Sequence, residues 1–260
     1  MVTGIENKMI DHYEKPEHVP NMMLLIDADI MYHRAAFSIE EKWDFGGHTL
    51  SNASDKKAID LFGKLLQGVL NNLESTRYLL CWSLSNNYRK DLFDGYKANR
   101  KDARRPECSP AVKEELYKKY PHIKEDGIEA DDIMGLYSGP GTIIVSDDKD
   151  MLTVPGCHYR PRWPEDGMVY TSRGESEYYW YMQILTGDRT DGYTGIPGIG
   201  PKKAAKILAA GGVSWRTILK AYEDAGLPES EALLTARLAR ILQPGEYDWE
   251  TKTPKLWEPT

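Results

Sequence analysis

The sequence is poor in the features that mark several large functional classes. Its three cysteines, Cys81, Cys108 and Cys157, are odd in number and far apart, which excludes a disulfide framework or a zinc ribbon and leaves reduced thiols. No apolar run approaches the ~20 residues of a membrane span, so no membrane partner is expected. Residues 1–20 mix Glu6, Lys8, Asp11, Glu14, Lys15 and Glu17 with few apolar side chains; this is no secretory leader, and a cytoplasmic chain is expected. The six histidines offer no HExxH or other zinc spacing. A Gly-x-Ser-x-Gly elbow, a Walker loop and a Rossmann fingerprint are all missing. Positive charge is short as well: 33 Lys and Arg against 40 Asp and Glu give a formal charge of −7, the opposite of what phosphate neutralisation asks.

What is present is unevenly spread. Between Tyr88 and Arg105 the basic residues Arg89, Lys90, Lys97, Arg100, Lys101, Arg104 and Arg105 face only Asp91, Asp94 and Asp102. Such a stretch is either a solvated charged face or a local grip on nucleic acid. Tyr88, Phe93 and Tyr96 interleave it, as stacking platforms for bases or as core.

At 260 residues the chain can hold one substantial α/β core and a small helical appendage. Met22–Ile26, Tyr78–Trp82 and Thr142–Val145 read as buried parallel strands. Ala58, Phe62, Leu65, Leu66, Val69, Leu70 and Leu73 mark one face of a helix between the first two, a βαβ pattern. Helices are predicted over 111–120 and 128–137. From Gly187 the glycines become frequent, and 202–210, 215–225 and 231–242 read as short helices. The expected organisation is a tail at 1–20, an α/β region at 21–186, a helical region at 187–245 and a tail at 246–260. The run Tyr178, Tyr179, Trp180, Tyr181 is assigned mainly to packing between the two regions.

Ligands of parallel α/β sheets bind beyond the carboxyl ends of the strands, which is where Asp27, Asp148 and Asp150 fall. Glu129, Asp131 and Asp132 open a helix, and Asp188 and Asp191 share the same three-residue spacing as Glu129 and Asp132. Alone, each group is an ordinary helix start or turn. Gathered at one rim, eight carboxylates would repel unless hard cations such as Mg2+ or Mn2+ lay between them.

In order and spacing these segments resemble the 5′-nuclease family, which includes flap endonucleases, the 5′-nuclease domain of bacterial DNA polymerase I and bacteriophage 5′-3′ exonucleases. The resemblance spans about 22 to 210. "LLIDADIMYHRAAF" resembles its first strand and helix, implying Asp27 as metal ligand and Arg34 near a bound phosphate. "YRKDLFDGYKANR" resembles the entry to its helical arch, with Lys97 and Arg100 as phosphate contacts. "GIEADDIMG" and "IIVSDDKDM" supply Glu129, Asp131, Asp132, Asp148 and Asp150; "LTGDRTDGYTGIPGIGPKKAAKIL" supplies Asp188, Asp191 and a helix-three-turn-helix. One motif departs: the family's second strand usually ends in an aspartate, where "LLCWSLSNN" offers Ser83 and Ser85.

The resemblance implies a PIN-like α/β 5′-nuclease fold with a mostly parallel sheet, an arch at about 88–126, and two Mg2+ or Mn2+ ions about 4 Å apart acting on DNA. It implies a stand-alone bacteriophage enzyme of replication or repair, monomeric, cutting at 5′ ends or flaps, with RNA–DNA hybrids as a further substrate. Expected DNA contacts are Arg89, Lys97, Arg100, Lys101, Arg104, Arg105, Gly198, Gly200, Lys202 and Lys203, with K+ at the Gly195–Gly200 hairpin. Gly195, Gly198 and Gly200 let the backbone approach a phosphate without reading base edges. Two rivals remain: a PIN-type ribonuclease, which would lack that hairpin, and a catalytically silent branched-DNA-binding protein, suggested by the absent aspartate.

Overall fold

The computed structural model describes residues 21–45, 48–100 and 103–259. The expected tail at 1–20 and Lys101 lie outside the described residues. In chain order the elements are β1 (Met23–Asp27), α1 (Ala28–Ser38), β2 (Glu41–Phe45), β3 (His48–Asn52), α2 (Asp55–Asn72), β4 (Tyr78–Trp82), α3 (Arg89–Leu92), α4 (Ala111–Lys119), β5 (His122–Lys124) and α5 (Ala130–Tyr137). There follow β6 (Thr142–Val145), β7 (Gly156–Tyr159), β8 (Met168–Thr171), α6 (Arg173–Thr186), β9 (Gly187–Asp188), β10 (Tyr193–Thr194), α7 (Pro201–Gly211), α8 (Trp215–Asp224), α9 (Glu229–Ala239), β11 (Tyr247–Asp248) and β12 (Thr253–Pro254).

The main sheet has the order β5-β4-β1-β6-β7-β8, parallel throughout except for β8. β1 lies at its centre because both its faces are covered: Leu24, Leu25 and Ile26 are all buried, the continuous apolar run of a two-sided parallel strand. From β1 the chain moves outward through β4 and β5, then returns to β6 on β1's other side. That reversal opens a crevice at the carboxyl ends of β1 and β6, the position at which such sheets bind ligands.

On one face α2 buries Ala58, Phe62, Leu66 and Val69, started by the Ser54 N-cap. With Leu24, Ile26, Leu80, Trp82 and Leu116 it forms one core. The opposite face is closed by α5, whose Ile133 and Met134 pack with Leu25, Cys81 and Ile144.

The C-terminal helices have a core of their own, which reaches back across 187 to Trp180, Tyr181, Ile184 and Leu185 on α6 and to Tyr96. The segment after 245, expected as a tail, folds back instead. β11 pairs with β12, and the Trp257 ring lies 4.9 Å from Trp180 and 5.0 Å from Trp215. Widely spaced aromatics carry no periodic signal, yet each covers enough apolar surface to anchor an irregular segment. No helix among the described residues is long and apolar enough to cross a membrane.

Candidate active site

A cavity of about 440 Å³ opens at the carboxyl rim of the sheet, lined by Asp27, Glu129, Asp131, Asp148, Asp150, Asp188 and Asp191. Seven of the eight expected ligands therefore share one space, joined by Asp29, an acid not among those expected there. Asp27 ends β1 and caps α1, accepting from Ile30 N at 3.0 Å and from Ser146 Oγ at 2.9 Å. Asp148 follows β6 and accepts from Asp150 N at 2.9 Å, a tight turn that sets both acids on one rim. Asp188 Oδ1 accepts from Thr190 N at 2.6 Å. Among the described residues no three acids have closed into a ready-made coordination cluster.

Burial and neighbouring acids both act on these carboxyls. Burial pushes the Asp27 carboxyl up to about 7, against the hydrogen bond from Ile30, with Asp29 and Asp148 adding to the rise. Burial likewise raises Asp150 to about 7, helped by Asp148 and Asp188. Asp131 is raised by burial and by Asp27, Asp148 and Glu129. Glu129 goes the other way: burial opposes its ionisation, but Lys97 and Arg89 outweigh it and hold the carboxyl at about 2.

The basic residues divide. Lys97 Nζ donates to Glu129 Oε1 at 2.5 Å and lies 3.7 Å from Asp191. Arg100 donates to Asp191 Oδ1 at 2.5 Å. Tyr96 joins the two acids, its hydroxyl 2.8 Å from Glu129 and 3.0 Å from Asp191. Lys97 adopts φ +54, left-handed backbone that costs a non-glycine residue on the order of 1 kcal/mol. Its N–H donates to Asp191 O at 2.7 Å, which holds it there. Gly192 beside that contact has φ +80, and a Cβ would meet Gly95 O at 2.6 Å, so this approach of two loops requires glycine.

Asp132 does not line the cavity. It is fully buried, gripped by both Arg89 amino nitrogens at 2.7 Å, and it also accepts from Leu242 N and Glu129 N at 3.1 Å. Its acceptor positions face the protein interior, away from any cation in the cavity. Arg89, expected on DNA, is 3% exposed and donates also to Leu238 O and Arg240 O, so it ties α3 to α5 and the end of α9.

Arg34 lines a separate pocket of about 170 Å³ with Lys64, Asn72 and Asp147, sharing Asp27 as a wall. Arg104 pairs with Glu40, and Arg105 is exposed. Tyr88 and Tyr96 are buried and are core rather than stacking platforms.

At the hairpin before α7, Gly198 has φ +76 and Gly200 caps the helix with Pro201 in its first turn. Lys202 is exposed at the helix start, whereas Lys203 donates to Gly198 O at 2.9 Å. One carbonyl of the Gly195–Gly200 hairpin, expected to hold K+, thus accepts from an ammonium. A larger groove of about 610 Å³ runs under this hairpin between α7 and α8, away from the acids.

Comparison with known proteins agrees with this geometry. Residues 22–160 match the family model "5′-3′ exonuclease, N-terminal resolvase-like domain". The exodeoxyribonuclease of Enterobacteria phage T3 is 31% identical over 222 residues, 70% of this chain and 73% of that one. The exonuclease of Escherichia phage T7 is 31% identical over 226 residues, with the same two shares, 70% and 73%. Among solved structures, the bacteriophage T5 flap endonuclease in a pseudo-enzyme-product complex with DNA and metal ions aligns with a TM-score of 0.60 at 18% identity, over 84% of this chain and 88% of that one. That likeness shows the fold, a PIN-like α/β nuclease fold.

Proposed function

Since the chain belongs to the 5′-3′ exonuclease family, we propose that it hydrolyses DNA phosphodiesters at or near a 5′ end, leaving 5′ phosphates, in the replication or repair of a bacteriophage genome. The observation that carries this is the facing of seven acids, Lys97 and Arg100 across one cavity at the sheet's switch point. The donors are all carboxylates, the chemistry of hard divalent ions, and the opposed ionisation of Asp27, Asp131 and Asp150 is what such ions relieve. Asp27, Glu129, Asp131, Asp148, Asp150, Asp188 and Asp191 would hold two Mg2+ or Mn2+. When bound, these supply a water acidic enough to attack and stabilise charge on the leaving oxygen.

The protein's own part is to bind, orient and exchange charge partners. Lys97 and Arg100 now sit on Glu129 and Asp191. An incoming phosphate competes for both cations, and carboxylates so released become available to other cations. Clamps of this kind are worth roughly 3 kcal/mol when preorganised, and the N–H bond to Asp191 O keeps Lys97 in place for that exchange. Farther out, Gly198, Gly200, the first turn of α7 and Lys202 would hold a duplex phosphate without reading sequence. Residues 21–186, together with Asp188 and Asp191, would then carry the chemistry, and the remainder of 187–245 the grip.

The test is cleavage of 5′-labelled flap and blunt duplex DNA in Mg2+, beside an Asp148→Ala, Asp150→Ala double variant. Release of labelled mono- or oligonucleotides by wild type alone supports the proposal and separates exonucleolytic from flap cutting. Binding of the flap with no cut in Mg2+ or Mn2+ would replace it with the silent DNA-binding reading.

A further inference from the structure

β4 is β1's neighbour in the sheet, with Asp27 in register with Cys81. Its carboxyl end therefore reaches the same rim, but the residues that follow, Ser83, Leu84 and Ser85, bring no acid there. A carboxylate occupies the place nonetheless. Asp29, in the first turn of α1, lines the cavity, and its Oδ2 accepts from Ser83 N at 2.7 Å. Its Oδ1 accepts from Lys113 Nζ at 2.7 Å. Lys113 comes from α4, and its ammonium rests 5.0 Å and 4.9 Å from the Tyr32 and Trp82 ring centres. The Ser83 hydroxyl accepts from Ala130 N at 3.0 Å, at the start of the acid-bearing α5. An acid placed in a first turn only to favour the helix dipole needs no such partners; Asp29 is held by groups from two other parts of the chain.

We infer that Asp29 supplies, from α1, the carboxylate that β4 lacks, and so completes the cation-binding rim between Asp27 and α5. This rests on the metal-dependent reading of the site. Each Asp29 oxygen accepts one hydrogen bond of the two it can take, which leaves a lone pair on each for a divalent ion. Lys113 acts in two opposed ways: it aims the carboxylate, and its charge disfavours a second cation beside it.

The test is Mn2+ titration of the metal-free protein, with free Mn2+ read by electron paramagnetic resonance, for wild type, Asp29→Asn, Lys113→Met and Asp150→Asn. Asp29→Asn is expected to weaken Mn2+ binding about tenfold or more, the scale set by removing groups that support a metal centre. Lys113→Met keeps the carboxylate, removes the competing charge and is expected to tighten binding severalfold. If Asp29 and Lys113 form only a structural ion pair, both variants lower Tm while their Mn2+ isotherms overlay wild type, and the inference is overturned. Should Asp29→Asn fail to fold, an unchanged isotherm for Lys113→Met overturns it alone. If wild type and Asp150→Asn bind Mn2+ alike, the metal reading of the cavity fails and Asp29 falls with it.

Discussion

Replacing Asp27 by Asn is expected to stabilise the metal-free protein at alkaline pH while removing its response to divalent ions. Asp27 is 5% exposed, and its carboxyl is displaced from 3.8 to about 7 by burial and by neighbouring acids. Ionising it in the folded state costs about 4 kcal/mol more than in the unfolded chain; water entering the cavity relaxes part of this, leaving roughly 2 kcal/mol. Because the folded value is raised, the penalty is absent below the unfolded value of 3.8, grows as pH rises from there to about 7, and is complete above. Asparagine keeps an oxygen for Ile30 N and offers an amide to Ser146 Oγ, so the cap survives. Thermal unfolding in chelator at pH 8.5 should therefore show Asp27→Asn melting roughly 4–8 °C above wild type, the gap closing by pH 4. Added Mn2+ should reverse the order, since only a site that binds the ion gains stability by mass action. Equal melting of the two proteins at pH 8.5, or a gap that persists at pH 4, would refute the argument that ionised Asp27 is held at a cost set by burial and by neighbouring acids.

Arg89→Leu leaves Asp132 buried and unpaired, and urea unfolding should register a loss of about 3–5 kcal/mol. Its DNA affinity should keep the wild-type salt dependence, whereas Lys202→Ala should reduce the slope of log K against log salt by about 0.9. Lys97→Ala is expected to lower kcat about 10²–10³-fold with a much smaller change in KM, measured by steady-state cleavage, because its charge matters most as the phosphate gains charge. His158, 4% exposed, is held by burial at about 4 against an ordinary 6.5. It stays neutral when folded, so stability falls by roughly 3 kcal/mol as pH drops from 6.5 to 4. His158→Gln should flatten that limb in equilibrium unfolding.

The sequence disclosed most where physics acts locally. β1, β4 and β6 are covered on both faces, so their apolar runs are unbroken and were legible. β5, β7, β8 and the β2–β3 hairpin are short or at edges, and their sequences carry no such run. The acids at the ends of β1 and β6 were legible for the same reason, since strand direction alone sends them to one rim. Arg89 shows the limit. In a basic stretch nothing distinguishes an arginine aimed at phosphate from one aimed at a buried aspartate, because the choice depends on Asp132, 43 residues away. Tyr96 and Asp29 were obscured likewise: each acts through a hydrogen bond to a distant segment. Asp29 is two residues from a more conspicuous acid and has the look of a first-turn residue, and only the closure of β4 against β1 brings Ser83 N to it.

The same closure resolves the charge paradox. A chain of net charge −7 is ill-suited to DNA only if its charge is spread evenly over the surface that DNA meets. The eight acids Asp27, Asp29, Glu129, Asp131, Asp148, Asp150, Asp188 and Asp191 share the cavity with Lys97, Arg100 and Lys149, while the charge of Arg89 is taken up by Asp132, so the formal excess when all ionise is −5. The two divalent ions proposed for the site would offset four of those charges. More than half of the chain's negative balance thus lies in a cavity where it selects for cations, and Lys202 and the exposed Arg105 stand outside it. Charge that would repel a polyanion when dispersed becomes, when concentrated behind bound ions, a surface a phosphate can approach. DNA affinity should therefore depend on divalent ions as well as on salt, and the dependence should weaken in any variant that removes acids from the cavity.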